Sequence, residues 1–360
     1  MSHRTTWLIV ELTTSDGITG LGECSDVADP DLARTILGSS IETIGALRFG
    51  DDVGRLDARL DGDVPVLPGT EGAFSRRLVL GALTTAMADA SARAETLPLR
   101  AWLGATRHRR VPLYANINRA PLDRTPVEFA RIARAAVEDG FERIKLAPFD
   151  GPVLPGETLL DTGLAHLAAV REAVGSSVTV YVDVHHRLSR PQLERAFDAF
   201  EEFEVGWIED AVDVQSPAAL EWLRSSTSLP IAGGERLTDT KDVAAVLDQG
   251  VLDYLLLDPK YVGGVLRFRS MLEEVHGVQL TLHDPTGPVS TIVSGHLAML
   301  SDDLVHNEYA YGEPIDRSKV VDPGETIEDG ALRVSSQPGL GLELTPRSMM
   351  ERWETVEWSP

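Results

Sequence analysis

The sequence predicts an α/β protein, a (β/α)8-type barrel with an α+β capping domain that the N-terminal region and the C-terminal tail form together. The first observation is a set of six short apolar runs that each end in a polar residue: Asp183, Glu209, Glu235, Asp258, His283 and Glu308. Consecutive members are 26, 26, 23, 25 and 25 residues apart, which matches one strand, one helix and two short loops per step. The second observation is the length, because 360 residues accommodate a barrel of roughly 250 residues and a smaller domain.

Residues 1–105 are predicted to form the capping domain. The stretches WLIVELTT and ITGLGEC flank an SDG turn, and their alternation predicts a β-hairpin over residues 7–23. Residues 29–104 are mostly helical in period, and RRLVLGALTTAMADASARA is predicted to be one long helix. The chain begins only about 20 residues before GLGE, so we expect the first strand of the cap to be short or missing.

Residues 106–315 are predicted to form a (β/α)7β-type barrel. Its first strand is VPLYANI at 111–117, and its second is ERIKLAP at 142–148. The other six strands are the apolar runs that end in the polar residues above, and helical segments separate them. A long loop follows the second strand. Residues 316–360 contain DPGE and EDG turns and a Gly-rich stretch, and we expect this segment to return to the cap.

The composition argues against several classes of protein. A formal net charge of −23 disfavours non-specific binding to nucleic acid, which needs a basic surface, and binding to anionic membranes. No apolar run approaches the roughly 20 residues of a membrane helix, and we expect no signal peptide. Cys24 is the single cysteine, so no intrachain disulfide can form and a cytoplasmic location is expected. If the ligand is an anion, the negative net charge of the protein opposes its approach, so local cations must bind it.

Three successive barrel strands end in carboxylates, and these are the candidate metal ligands. Asp183, Glu209 and Glu235 would meet at the C-terminal face of the barrel, where active sites of this architecture lie. Hard oxygen ligands suit Mg²⁺, with Mn²⁺ as the alternative ion. Without a cation, three buried carboxylates would repel one another and raise one another's pKa. The competing interpretation is that each acid caps the helix after its strand.

The next two strands end in Asp258 and His283, a candidate general base and its partner. Neighbouring strand ends would let the carboxylate bond one ring nitrogen, which fixes the tautomer and raises the basicity of the other nitrogen. His283 is therefore the candidate general base. The alternative is a histidine that is paired with its neighbour Asp284 in a loop.

Three further residues are candidates for catalysis. His185 follows Asp183 by two residues, so in an extended chain it would lie on the same side as that ligand, where it could act as an acid on a leaving group. His186 would point the other way and is assigned a structural role. Lys145 is predicted to face an anionic ligand, and a lysine whose tip reaches solvent is the alternative. Glu308 is a candidate neutral acid that donates a hydrogen bond to developing oxyanion charge. Its alternative is a helix cap or an ion-pair partner.

These motifs resemble the enolase superfamily, and within it the mandelate-racemase-like branch of acid-sugar dehydratases. DGITGLGE resembles the family's cap hairpin, and GFERIKLA resembles its second-strand lysine motif. VDVHHRLS, WIEDAV, IAGGERL, LDPKYVGG and HDPTGPVS resemble strands three to seven, and QPGLGLEL resembles the C-terminal return to the cap. The Asp-x-His and the Asp–His pair are most similar to galactonate dehydratase-type enzymes. The resemblance implies a modified TIM barrel and a homo-oligomer.

The resemblance also implies a reaction, the Mg²⁺-dependent removal of the proton α to a carboxylate and the loss of the β-hydroxyl as water. The implied metal ligands are Asp183, Glu209 and Glu235. The implied base, its partner, the acid and the residue that hydrogen-bonds the substrate are His283, Asp258, His185 and Glu308. We therefore predict a dehydratase of a small-molecule sugar acid, an aldonate such as galactonate, gluconate, arabinonate or mannonate, that forms a 2-keto-3-deoxy acid.

Two departures from the family pattern favour elimination over other reactions. The family's second strand often reads Lys-x-Lys, but Ala147 stands at the second lysine position, so the lysine base of a two-base racemase is missing. Asp258 stands where lactonising enzymes and dipeptide epimerases carry a lysine. The alternatives are a sugar-acid cycloisomerase or one-base epimerase on the same scaffold, and a non-catalytic sugar-acid-binding protein.

Overall fold

A closed barrel of eight parallel strands dominates the computed structural model, which describes residues 7–27, 29–44, 70–107, 110–313 and 317–345. Each barrel strand pairs in parallel with the next one along the chain, and the last pairs with the first. The barrel strands β3 to β10 are Val111–Asn116, Arg143–Leu146, Thr179–Asp183, Val205–Glu209, Ile231–Gly233, Tyr254–Leu257, Gln279–Leu282 and Leu304–Ala310. The predicted (β/α)8-type fold is confirmed.

Helices follow the first seven barrel strands, and the eighth strand leads into the C-terminal segment. These helices, α4 to α11, are Pro126–Glu138, Leu159–Val174, Arg190–Glu202, Pro217–Ser226, Thr240–Leu247, Pro259–Val262, Val265–Met271 and Pro288–Leu297. Their starts carry the expected signals, since Thr125 accepts from the N–H of Glu128 at the start of α4 and Thr158 forms a capping box with Asp161 on α5. Within the described ranges, no helix is long and apolar enough to span a membrane.

The N-terminal region is an antiparallel hairpin packed on a long helix. Its elements β1, β2, α1, α2 and α3 are Ile9–Thr13, Thr19–Glu23, Pro30–Ile44, Thr70–Ala94 and Leu99–Trp102. A Cβ on Gly20 or Gly22 would lie about 2 Å from a carbonyl oxygen of α2, at Ala86 or Ala82, so the GLGE spacing lets β2 touch the helix backbone. Residues 1–6, where the short or missing first strand was expected, lie outside the described residues.

The C-terminal segment contacts both the barrel and the cap. Its strands β11 to β14 are Val321–Asp322, Thr326–Glu328, Ala331–Arg333 and Glu343–Leu344. β13 pairs antiparallel with β3. The buried carboxylate of Asp89, on α2, accepts the main-chain N–H groups of Leu21 at 2.9 Å and Leu340 at 2.7 Å. One side chain therefore ties together the hairpin, the long helix and the tail. The domain boundaries at 105 and 315 stay predictions.

Aromatic side chains fill the barrel below its C-terminal mouth. The rings of Tyr181 and Trp207 stack with their centroids 3.5 Å apart, and Tyr114 meets Trp207 edge-on at 5.5 Å. Nε2 of His306 lies 3.1 Å from the hydroxyl of Tyr181. We call the rings of Tyr114, Tyr181, Trp207 and His306 the aromatic floor. Side chains two residues apart on a strand point to the same face, so the side chains two positions after these rings also point into the barrel, one layer closer to the mouth. The side chains after Tyr181, Trp207 and His306 are Asp183, Glu209 and Glu308.

Candidate active site

Three buried carboxylates lie at, or two residues after, the ends of successive strands at the C-terminal mouth. Asp183 and Glu209 are the last residues of β5 and β6 and pair directly in register. Glu235 follows β7 by two residues, after Gly234, whose φ of +111° is a conformation that glycine adopts readily. All three side chains are buried. We call Asp183, Glu209 and Glu235 the carboxylate row.

The helix-capping interpretation of the carboxylate row does not hold. The helices that follow these strands, α6, α7 and α8, have other N-cap residues, namely Ser189, Ser216 and Asp239. The carboxylates instead remain at the mouth of the barrel. Asp258 differs, because it is the N-cap of α9 and accepts from the N–H of Lys260 at 2.8 Å.

Lys145, on β4, lies inside the site. Its Nζ is 2.8 Å from Oε1 of Glu209, 2.9 Å from Oε1 of Glu308 and 3.7 Å from Oδ2 of Asp183. The side chain is only 2% exposed, so the alternative of a tip in solvent is wrong. Burial alone would lower the pKa of the ammonium, but Glu209 and Glu308 outweigh it and raise this pKa well above its usual value. The lysine was expected to face an anionic ligand, and here it neutralises the protein's own carboxylates.

Asp258 and His283 form a buried pair. Nδ1 of His283 lies 2.9 Å from Oδ2 of Asp258, and Nε2 lies 2.8 Å from Oε2 of Glu235. Burial alone would lower the pKa of His283, but the carboxylates of Glu235 and Glu308 outweigh it and raise this pKa well above its usual value. The main-chain N–H of Asp284 donates to Glu308 at 3.0 Å. The structure therefore pairs His283 with the preceding strand end, as the spacing predicted, and not with Asp284.

His185 reaches the carboxylate row by a different route from the one expected. The chain is not extended after β5, because His185 and His186 have φ of +47° and +53° and the N–H of Arg187 donates to the carbonyl of Val184. Nε2 of His185 lies 2.8 Å from Oδ2 of Asp183. A tight turn, and not strand alternation, brings them together. His186 is 49% exposed, with Nε2 4.0 Å from the Asp210 carboxylate.

Three donor groups surround the carboxyl group of Glu308, on β10. Its carboxylate accepts from Nδ2 of Asn116 at 2.6 Å and from the main-chain N–H of Asp284 at 3.0 Å, and Lys145 lies 2.9 Å away. Burial alone would raise the pKa of this carboxyl, but Lys145 and His283 outweigh it and lower the pKa. The surroundings of Glu308 therefore favour its charged form, and the role of a neutral acid stays a prediction. The ion-pair alternative describes it.

Two residues of the site were missed from the sequence. Nζ of Lys260 is buried 2.8 Å from Oδ2 of Asp258, and the signal was its place in LDPKYVGG in a chain with four lysines. Oδ2 of Asp150 lies 2.8 Å from Nδ1 of His185. Asp150 stands in the long loop after β4, where no periodicity marks any residue for chemistry.

The donor set of the carboxylate row fits a divalent cation. In the part of the chain that the structure describes, no three acidic, histidine or cysteine side chains surround one point as metal ligands, and Lys145 and His283 lie against the row. Oε2 of Glu235 is buried without a hydrogen-bonding partner, since the approach of Nε2 of His283 to 2.8 Å lacks hydrogen-bond geometry. Burial and Asp183 raise the pKa of Glu209 well above its usual value, although Lys145 opposes them. An unsatisfied oxygen, and like charge that Lys145 offsets only in part, suit Mg²⁺ or Mn²⁺.

The sequence pattern of the enolase C-terminal domain-like family matches residues 128–348 of the chain. A D-mannonate dehydratase of a Caulobacter species is 25% identical over 386 aligned positions, which cover 94% of this chain and 89% of the relative. A D-galactonate dehydratase of Variovorax paradoxus is 25% identical and covers 94% and 88%. A D-gluconate dehydratase of Thermoproteus tenax is 28% identical and covers 94% and 68%.

Solved structures show the same fold. The mandelate racemase/muconate lactonizing enzyme from a Jannaschia species superposes on 94% of this chain and 90% of its own with a TM-score of 0.79. The two sequences are 23% identical, so this likeness concerns the architecture.

Proposed function

The chain belongs to the enolase superfamily, as its motifs predicted, and from this membership and the geometry of the site we propose that it is a sugar-acid dehydratase, a hydro-lyase. The proposed substrate is an aldonate, such as galactonate, gluconate, arabinonate or mannonate, and the proposed product is the 2-keto-3-deoxy acid. The relatives named for the dehydration of mannonate, galactonate and gluconate support this class.

The observation that carries the proposal is a pair of imidazoles at the two ends of the carboxylate row. Nε2 of His185 lies 2.8 Å from Asp183, and Nε2 of His283 lies 2.8 Å from Glu235. Strand order places Glu209 between them. Dehydration of a sugar acid needs a base at the α-carbon and an acid at the β-hydroxyl. A substrate whose carboxylate is held at the row would have one imidazole on each side.

The residues that would hold the divalent cation are those of the carboxylate row. A bound Mg²⁺ supplies positive charge that offsets the row, the substrate carboxylate and the negative charge that develops on it. Lys145 fixes Glu209 and Glu308 through contacts of 2.8 and 2.9 Å. The side chain of Asn116 holds Glu308 from the neighbouring strand. These contacts preorganise the charges before the substrate arrives.

His283 and His185 divide the proton transfers. The carboxylate of Asp258 only accepts, so Nδ1 of His283 carries a proton toward it. Glu235 would hold the cation instead of favouring a proton on Nε2, so Nε2 would be free to take the α-proton of the substrate. The electron pair of the C–H bond enters the substrate carboxylate as an enediolate and then forms a carbon–carbon double bond as the β C–O bond breaks. The departing hydroxyl takes a proton from His185 and leaves as water. The enol tautomerises to the 2-keto-3-deoxy acid, and solvent restores both imidazoles.

A keto-acid screen tests this function. The protein with Mg²⁺ is incubated with a stereochemically complete set of aldonates, and the product is read as its semicarbazone. His283→Asn is expected to abolish keto-acid formation. His185→Asn is expected to lose keto-acid formation while deuterium from D₂O still enters the α-carbon. His276→Asn, the same change at an exposed histidine, is the matched control and is expected to keep full activity.

The screen also separates the alternatives. Undiminished dehydration by the His185→Asn protein would refute the acid role. Epimerised substrate without keto acid would identify a one-base epimerase, for which His283 alone suffices. Calorimetric binding of an aldonate without turnover would identify a sugar-acid-binding protein. Ala147 is buried where the second lysine of a two-base enzyme would stand, which supports elimination over racemisation.

A further inference from the structure

The loop after β4 reaches across to the turn after β5 through one carboxylate. Oδ2 of Asp150 lies 2.8 Å from Nδ1 of His185, and Oδ1 accepts from Nε of Arg187 at 3.0 Å. The side chain of Asp150 is 15% exposed. Its two oxygens therefore have separate partners, and both partners belong to the turn that carries the proposed acid.

Asp150 is itself held in place from a third segment. The guanidinium of Arg124 donates to the main-chain carbonyls of Asp150 at 2.8 Å, Ala147 at 2.9 Å and Asn118 at 2.7 Å. Gly151 has a φ of +100°, and a Cβ there would lie 2.7 Å from Nε of Arg124. The hydrogen bonds from Arg124 therefore fix the position of the Asp150 backbone, and Gly151 leaves room for the guanidinium of Arg124.

The turn that carries His185 has an unfavourable conformation for histidine. Two consecutive central residues with positive φ are typical of a turn that favours glycine or asparagine. Strain of this kind persists where the surroundings over-determine it, and it clusters at functional sites. In this turn, Nδ1 of His185 faces Asp150 while Nε2 faces Asp183. The ring is therefore held at both nitrogens.

We infer that Asp150 is the positioning residue of the proposed acid, which it orients through a hydrogen bond to Nδ1 of His185. Carboxylates accept and do not donate, so the ring carries a proton on each nitrogen: Asp150 holds the Nδ1–H, and the Nε2–H is the proton available to the leaving hydroxyl. The arrangement repeats on the acid side what Asp258 does for His283 on the base side. Asp150 touches no reacting atom, and the inference rests on the proposed dehydration.

A structural ion pair between Asp150 and Arg187 is the competing account. It predicts that removing the carboxylate weakens the loop and lowers every step of the reaction together. The positioning role predicts a selective effect, because proton abstraction by His283 does not use His185. The ratio of α-deuterium exchange to elimination separates these two accounts.

The test uses Asp150→Ala and Asp150→Asn in the full-length protein with Mg²⁺ and an aldonate that the wild type dehydrates. Alanine removes the acceptor, and asparagine keeps the size but removes the negative charge that holds the Nδ1–H. For both, kcat for keto-acid formation is expected to fall about 10- to 100-fold, with KM changed by less than about threefold. Deuterium incorporation into the α-carbon is expected to continue. Asp161→Asn, on the exposed capping box of α5, is the matched control.

A second measurement does not depend on turnover. The ¹⁵N–¹H correlation of the His185 ring, assigned by its loss in His185→Asn, is expected to show a hydrogen-bonded Nδ1–H that shifts or disappears in Asp150→Ala. An unchanged Nδ1 resonance overturns the inference, even for a protein that dehydrates no aldonate. Equal losses of exchange and elimination in a folded variant overturn it as well. If the wild type makes no keto acid but the Nδ1–H resonance of His185 shifts in Asp150→Ala, the proposed function fails, whereas the hydrogen bond between Asp150 and His185 is supported.

Discussion

Glu23 anchors the cap hairpin to the barrel, and replacing it is expected to loosen the cap. Its carboxylate accepts the main-chain N–H groups of Gly287 at 2.7 Å and Ser290 at 2.9 Å, at the N-terminus of α11. The first N–H groups of a helix have no acceptor within the helix. Burial raises the pKa of Glu23, and these hydrogen bonds oppose the rise. One side chain of the cap therefore satisfies two buried donors of the barrel.

The magnitude follows from what glutamine cannot do at this position. Glu23→Gln keeps the size but leaves one acceptor oxygen, so one buried N–H loses its partner at a cost of about 1–3 kcal/mol. The helix N-terminus also loses a negative charge worth about 0.3–1 kcal/mol, while the neutral amide avoids the cost of burying a charge. These last two effects oppose each other. The expected change is about 1–3 kcal/mol, or a 5- to 150-fold larger opening equilibrium.

Cys24 reports this opening because it follows Glu23 directly and is the single cysteine. It is 1% exposed, and burial together with the neighbouring carboxylates raises the pKa of its thiol to about 12. The reactive thiolate is thus scarce in the closed protein at about pH 8, and iodoacetamide reacts through an open state in which the thiol pKa is about 8.5. Labelling should therefore accelerate as the pH rises toward about 8.5 and level off above it.

We expect Glu23→Gln to be alkylated about 5 to 150 times faster than the wild type, as followed by intact-mass spectrometry. Ser25→Ala is the matched control, because it removes the hydroxyl that donates to the same carboxylate at 2.6 Å and accepts from the N–H of Leu8, and it leaves both bonds from Glu23 to α11. Equal labelling rates for Glu23→Gln and the wild type would refute the reasoning, since the two N–H bonds would then not hold the cap closed.

His186→Gly is expected to stabilise the protein by up to about 1 kcal/mol, because glycine removes the strain of a positive φ at an exposed position, and a lower melting temperature would contradict this. Lys260→Met is expected to cost about 3–5 kcal/mol in urea unfolding, because Asp258 and Asp284 lose a buried ammonium. Lys241→Met is the exposed control, and equal midpoints would contradict the expectation. EDTA is expected to abolish keto-acid formation and Mg²⁺ to restore it, whereas activity that survives the chelator would exclude the carboxylate row as a cation site.

The site residues at the ends of barrel strands could be predicted from the sequence because the repeat of the barrel fixes their spacing. A parallel barrel repeats strand, helix and two loops, so a polar residue that ends each apolar run recurs at the same face. Asp183, Glu209, Asp258, His283 and Glu308 all follow from that period and lie at the mouth.

The remaining features depend on contacts that no periodicity encodes. His185 reaches Asp183 through a turn with two positive φ values, where alternation would be the wrong rule. The contacts of the Glu308 carboxyl group come from Asn116 and Lys145, which lie on other strands. Asp150 gains its place only from the packing of the loop that carries it against the segment that carries Arg124. Loop contacts of this kind become visible only once the chain is folded.

The site residues on barrel strands and those on loops are therefore held in place in different ways. Glu209 sits two residues above Trp207, whose Nε1 donates to it at 3.1 Å, and His283 follows directly from a barrel strand. Packing of the aromatic floor and the strand ladder fixes this half of the site, which holds the proposed metal ligands and the proposed base. His185 and Asp150 lie on loops, held by hydrogen bonds and a strained turn. Loops tolerate change more readily than packed strands, so we expect changes in these loops to alter the proposed elimination step and to leave the proposed proton abstraction in place.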